Sequence, residues 1–183
     1  MKKVLFILSE LSTRDIDWLL AHGDPQKVPE GTVLIHEGQP LNALYIVLDG
    51  ILTVSVAGLG NREVAKIGCG EVLGEMSFVD GSPPSATVKA IEDSLVLAIN
   101  QKKLSQKLEE DVLFALRFYQ AITKFLSYRL RGTFQSFSKK ESSQQQNNGL
   151  DDAEDVLGGA NLAMAKAKFE RLIQGVKQGS TLA

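Results

Sequence analysis

Gly70-Glu71-Val72-Leu73-Gly74-Glu75-Met76-Ser77-Phe78, followed after residues 79–84 by Ser85-Ala86-Thr87-Val88, is the stretch on which the reading of this 183-residue chain turns. Val72 and Leu73 close an apolar run, and Gly74 offers a turn at which positive φ costs nothing. Glu75 then opens a short helical turn, where a carboxylate suits the positive end of a helix. Pro83-Pro84 forms a stiff connection back into a strand-like run.

On either side of this cassette the periodicity is that of short strands. Residues 32–36, 44–48, 51–56, 63–67, 86–90 and 95–99 are apolar or alternating, and Gly38, Asp49-Gly50, Gly58-Leu59-Gly60, Gly68 and Gly81 separate them. This rhythm predicts a mainly β fold, an antiparallel double-sheet jelly roll with flanking helices. Upstream, Ser12 caps a helix with Asp15 in its first turn, Ile16, Leu19 and Leu20 form its apolar side, and Gly23-Asp24-Pro25 ends it. Lys2-Lys3 and the apolar residues 4–8 mimic a charged leader, but the run is too short for a signal peptide and predicts a strand or helical turn packed on the domain.

The ordered landmarks Val33-Leu34-Ile35-His36-Glu37-Gly38, Leu44-Tyr45-Ile46-Val47-Leu48-Asp49-Gly50 and Gly70-Glu71-Val72-Leu73-Gly74-Glu75 resemble those of the cyclic nucleotide-binding domain family, across roughly residues 9–131. The likeness is to an effector roll of Crp/Fnr type without its helix-turn-helix domain. It implies a ligand site in which the amides of Gly74, Glu75, Met76 and Ser77 face a cyclic phosphate, Glu75 holds the ribose 2′-OH, and Ser85 with Ala86 forms the small pair beyond the phosphate-neutralising arginine. Pro84 stands where that arginine belongs. Proline removes the guanidinium and a backbone N–H, so a phosphate loses charge-assisted hydrogen bonds of about 1.5–3 kcal/mol each. Lys66 and Lys89 lie on nearby strands, but alternation alone leaves their faces open. The resemblance therefore implies a regulatory module with a degenerate site that acts through protein–protein contacts, an active cAMP or cGMP receptor being the alternative.

Composition narrows the classes further. A formal charge of −2 with dispersed Lys and Arg gives no footprint for direct nucleic-acid binding. The single Cys69 forms no internal disulfide and suits a reducing cytoplasm. Two separated histidines, His22 and His36, do not supply the clustered ligands of a metal enzyme on a double-sheet roll, and one cysteine does not hold an iron–sulfur cluster. No catalytic residue, metal or resident cofactor is expected.

Residues 111–131 predict a long helix with two apolar stripes. Leu116, Tyr119, Leu126 and Leu130 make one; Phe114, Phe118, Ala121, Phe125 and Tyr128 make the other. Their centres lie roughly 140° apart. One stripe covers the roll, and the other needs a second surface, so Leu116, Phe118, Phe125 and Leu126 are expected at a homodimer interface, with burial by the chain's own tail as the alternative. The division expected is a domain over 1–131, a polar linker over 132–150 and a tail over 151–183. The tail joins an acidic segment to an amphipathic helix whose stripe is Leu162, Ala165, Phe169, Leu172, Ile173 and Val176. It is too short for a helix-turn-helix reader. Its stripe suits docking, on an unidentified protein partner or on the chain's own roll, better than a membrane.

Overall fold

The structure, a computed structural model, describes residues 5–141 and 159–179, with side chains over 7–131 and 161–178. Two N-terminal helices, α1 (Leu5–Glu10) and α2 (Thr13–His22), precede a run of strands. These are β1 (Gly23–Val28), β2 (Val33–Ile35), β3 (Ala43–Asp49), β4 (Leu52–Val56), β5 (Arg62–Ile67) and β6 (Val72–Leu73), with a 3-10 turn at Ala57–Leu59. Helix α3 (Glu75–Asp80) separates them from β7 (Thr87–Ala90) and β8 (Ser94–Asn100). Helices α4 (Gln101–Glu110), α5 (Val112–Glu141) and α6 (Gly159–Gly179) follow.

The strands form two antiparallel four-stranded sheets, ordered β1-β8-β3-β6 and β2-β7-β4-β5, which is the expected double-sheet roll. Strand alternation explains how one sheet serves two cores. Val47 and Val96 point between the sheets, where they meet Val28, Ile35, Leu52, Val54, Leu73 and Val88. Leu44, Ile46, Leu48, Leu97 and Ile99, offset by one residue, point the other way into a helical layer. Both faces of β3 and β8 are therefore apolar, and neither strand shows the polar-out pattern of a surface sheet.

The helical layer is built on α5. Asp111 caps it, its carboxylate accepting from the Phe114 N–H at 2.9 Å and from Lys107 Nζ at 2.9 Å. Phe114, Phe118, Ala121, Ile122 and Phe125 are buried on its inner face. Phe114 meets Trp18 at 5.6 Å between ring centroids, and Phe118 meets Phe78 edge-on at 5.7 Å. The other stripe stays open, with Leu116 56% exposed, Tyr119 48% and Leu130 58%. The expected interface set is corrected accordingly: Phe118 and Phe125 lie in the chain's own core, Leu126 is half-buried, and Leu116 alone is well exposed. The helix also runs beyond residue 131 to Glu141, so the polar segment begins later than its composition suggests.

Helix α2 carries a capping box in which Ser12 Oγ accepts from the Asp15 N–H at 3.3 Å and Asp15 Oδ2 accepts from the Ser12 N–H at 2.7 Å. The same carboxylate takes a bidentate hydrogen-bonded pair from Arg117, Nε at 2.6 Å and Nη2 at 2.9 Å, which ties α2 to α5. Lys124 of α5 reaches Glu10 of α1 at 2.6 Å.

The tail helix α6 packs on α1 and α2 of its own chain. Leu162, Ala165, Phe169, Leu172 and Val176 are buried there, and Ile173 is half-buried, as the stripe predicts. Arg171 pairs with Asp17 at 2.7 Å, and Lys168 Nζ donates to the Ser9 carbonyl at 3.3 Å. Gly175 is needed for this approach, because a Cβ there would lie 2.8 Å from both methyls of Leu20. The acidic residues 151–155 lie outside the described residues. Among the described residues no helix is long and apolar enough to cross a membrane.

Candidate functional site

Leu73 ends β6 inside the roll, and Gly74 turns the chain out of it with φ of +82°. The position admits no side chain: a Cβ would lie 2.6 Å from Leu41 Cδ2 and 3.0 Å from the Ala43 carbonyl oxygen. Glu75 therefore begins α3 with its side chain directed inward, 3% exposed. The helix is short. The Phe78 N–H reaches the Gly74 carbonyl at 3.0 Å, and the Gly81 N–H closes onto Ser77 at 3.0 Å. Ser82 donates its N–H to Asp80 at 2.8 Å, and the Pro84 carbonyl accepts from the Gly38 N–H at 2.8 Å, which fixes the return loop to the turn after β2.

Between α3, this loop and the inner face of the second sheet lies a cleft of about 150 Å³. Gly74, Glu75, Met76 and Ser77 line one side, Pro84, Ser85 and Ala86 the other, so all seven expected site residues are brought together. Ile35, Val54, Leu73 and Val88 form its apolar floor, and Asp80 stands at its exposed mouth. Lys66 and Lys89 do not enter it. Both are exposed and pair across Thr53 on the outer face of the second sheet, while Leu52 and Val54 point inward.

The cation that does enter was not expected from the sequence. Arg129, on α5, lines the cleft and forms a close ion pair through Nη1 with Glu75 Oε1. Its Cζ lies 5.3 Å from the Phe125 ring, a cation–π distance that holds the guanidinium over the end of the buried stripe. Burial pushes the Glu75 carboxyl above its ordinary value; the neighbouring Arg129 charge pulls it back without cancelling the effect. One signal for Arg129 was available: it lies four residues after Phe125, where the apolar stripe calls for another core residue. Among the described residues no group of His, Cys, Asp and Glu is arranged to hold a metal ion.

The sequence profile described as cyclic nucleotide-binding domain matches residues 25–111, which run from within β1 through β8 and α4 and contain the whole cassette. The roll belongs to the cyclic nucleotide-binding domain family. The chain is 31% identical over 129 residues to the cAMP-activated global transcriptional regulator CRP of Haemophilus influenzae, covering 68% of this chain and 56% of the relative. It is 33% identical over 91 residues to the cyclic AMP receptor protein of Thermus thermophilus, covering 49% and 42%. It thus spans about half the length of these curated relatives. A solved cyclic nucleotide-binding domain from Methylobacillus flagellatus shares the fold with a TM-score of 0.68 and 23% identity, covering 81% of this chain and 85% of that one. Within the matched residues the cleft is lined by Pro84, and its guanidinium, Arg129, comes from α5 beyond the match.

Proposed function

We propose that this chain is a non-enzymatic regulatory module of the cytoplasm, that its cyclic nucleotide site is degenerate, and that it acts as a homodimer by contact with another protein. The observation that carries the reading is the pairing of Glu75 with Arg129 in a cleft whose loop offers Pro84 in place of a cation. A cyclic phosphate entering there meets two carboxylates, Glu75 and Asp80, and a guanidinium already engaged by one of them. To take Arg129 as its own counter-charge it has to compete with a buried carboxylate, and breaking a buried ion pair is costly. The open stripe of α5 supports the dimer: Val112, Leu116, Tyr119, Thr123, Leu126 and Leu130 recur at alternating spacings of four and three, the seam of a two-stranded coiled coil.

A second reading is favoured by the same arginine. If phosphate draws Arg129 away from Glu75, the chain is a cAMP or cGMP receptor whose cation comes from α5. Calorimetric titration with cAMP and cGMP separates the two. The expected outcome is no heat at concentrations up to about 100 μM in the wild type, and a gain of about tenfold or more in affinity in Pro84→Arg. A low-micromolar dissociation constant in the wild type, abolished by Arg129→Gln, establishes the receptor instead.

A further inference from the structure

Resting on the reading that the cleft rejects cyclic nucleotides, we infer that it binds a small monocationic amine carrying an apolar body of about one ring. Three features of the cleft define this class. The first is its charge. Glu75, Asp80 and Arg129 are the charged residues lining it, two carboxylates against one guanidinium, so the lining carries one formal negative charge. An anion adds to that excess, a neutral molecule leaves it, and a monocation removes it.

The second feature is the distribution of polar groups. Arg129 is committed to Glu75, and the Ser82 N–H to Asp80, so two of the donors near the cleft are in use. The proline at 84 contributes no N–H. The side chains of Glu75, Asp80, Ser77 and Ser85 all offer oxygen atoms able to accept from an ammonium group. Asp80 is exposed at the mouth, where an ammonium keeps part of its hydration while its body enters.

The third feature is size. Ile35, Val54, Leu73 and Val88 floor a space of about 150 Å³, which in an apolar setting admits a single aromatic ring. A ring seated there meets the aliphatic floor, whereas a fully charged polar ligand would leave that floor without a partner.

Three single-ring probes of similar size and positive, zero and negative charge test the inference on the full chain: benzylamine, benzyl alcohol and benzoate, titrated by ligand-observed NMR. Benzylamine is expected to bind with a dissociation constant of about 1 mM or better, a normal value for so few heavy atoms. Benzyl alcohol is expected to bind several-fold more weakly, and benzoate at least about tenfold more weakly. Asp80→Asn, an exposed change, should weaken benzylamine severalfold and leave benzyl alcohol unaltered. Equal or tighter binding of benzoate overturns the inference, as does a benzylamine signal indifferent to Asp80→Asn or the absence of any binding. If cAMP is silent but the amine shows no preference, this inference alone falls. If cAMP binds in the micromolar range, the reading on which it rests falls with it.

Discussion

Glu75 and Asp15 are both buried carboxylates joined to arginines of α5, yet their surroundings move them in opposite directions. Burial raises Asp15 too, but the Arg117 hydrogen bond and those from Ser12 outweigh it and hold the carboxyl below its ordinary value. A depressed folded pKa gives stability that is fully present above the ordinary value of 3.8 and lost as pH falls through the lowered one. Asp15→Ala should therefore destabilise the chain by about 2–4 kcal/mol at neutral pH, read by urea denaturation, because it removes the carboxylate that pairs with Arg117 and half of a capping box. Glu75 has the reverse sign. Its folded pKa is raised, so the native state holds more protons than the unfolded chain just above the ordinary value of 4.5, and stability falls as pH rises through that window. Glu75→Gln should flatten this part of the profile. Melting temperatures measured from about pH 4 to pH 8 check it, with the wild type showing the steeper loss toward neutrality.

At the scale of elements, legibility followed locality. The α2 cap, the tail stripe and the six strand runs all depend on neighbours within a few residues, and they stand where periodicity put them. Strand β1 was missed because Gly23-Asp24-Pro25-Gln26-Lys27-Val28 has one strongly apolar residue; it is extended because it pairs with β8, more than sixty residues away. Pro25 is tolerated there on an edge strand. Helix α4 was also missed, though Asn100 accepts from the Lys102 and Lys103 N–H groups at 3.0 and 3.2 Å, and Leu104 and Leu108 give it an i,i+4 apolar pair. In the site, the cassette was legible as contiguous residues, while the Glu75–Arg129 pair, 54 positions apart, was not. The tail supplies the element-scale prediction. Phe169→Asp places a charge at a position 6% exposed against α1 and α2 and should cost at least about 3 kcal/mol in chemical denaturation.

For the whole molecule, the open stripe of α5 bears on assembly. Leu116→Lys changes a residue that is 56% exposed in the single chain, so the folded protomer should keep its melting temperature while self-association is lost. Sedimentation equilibrium at about 50 μM should show a dimer for the wild type and a monomer for the variant. A wild-type monomer under those conditions refutes the dimer.

The helical layer gathers Ile7, Leu8 and Leu11 from before the roll and Leu162, Phe169 and Val176 from after it around a single core. Synthesis proceeds from the first of these groups to the last. While the roll is completed on the ribosome, the surface of α1 and α2 that α6 will cover remains bare, and it is sealed only once residues 159–179 have emerged. A message truncated before the codon for residue 160 leaves α1 and α2 with an uncovered apolar flank, the kind of surface that holding chaperones and proteases act on.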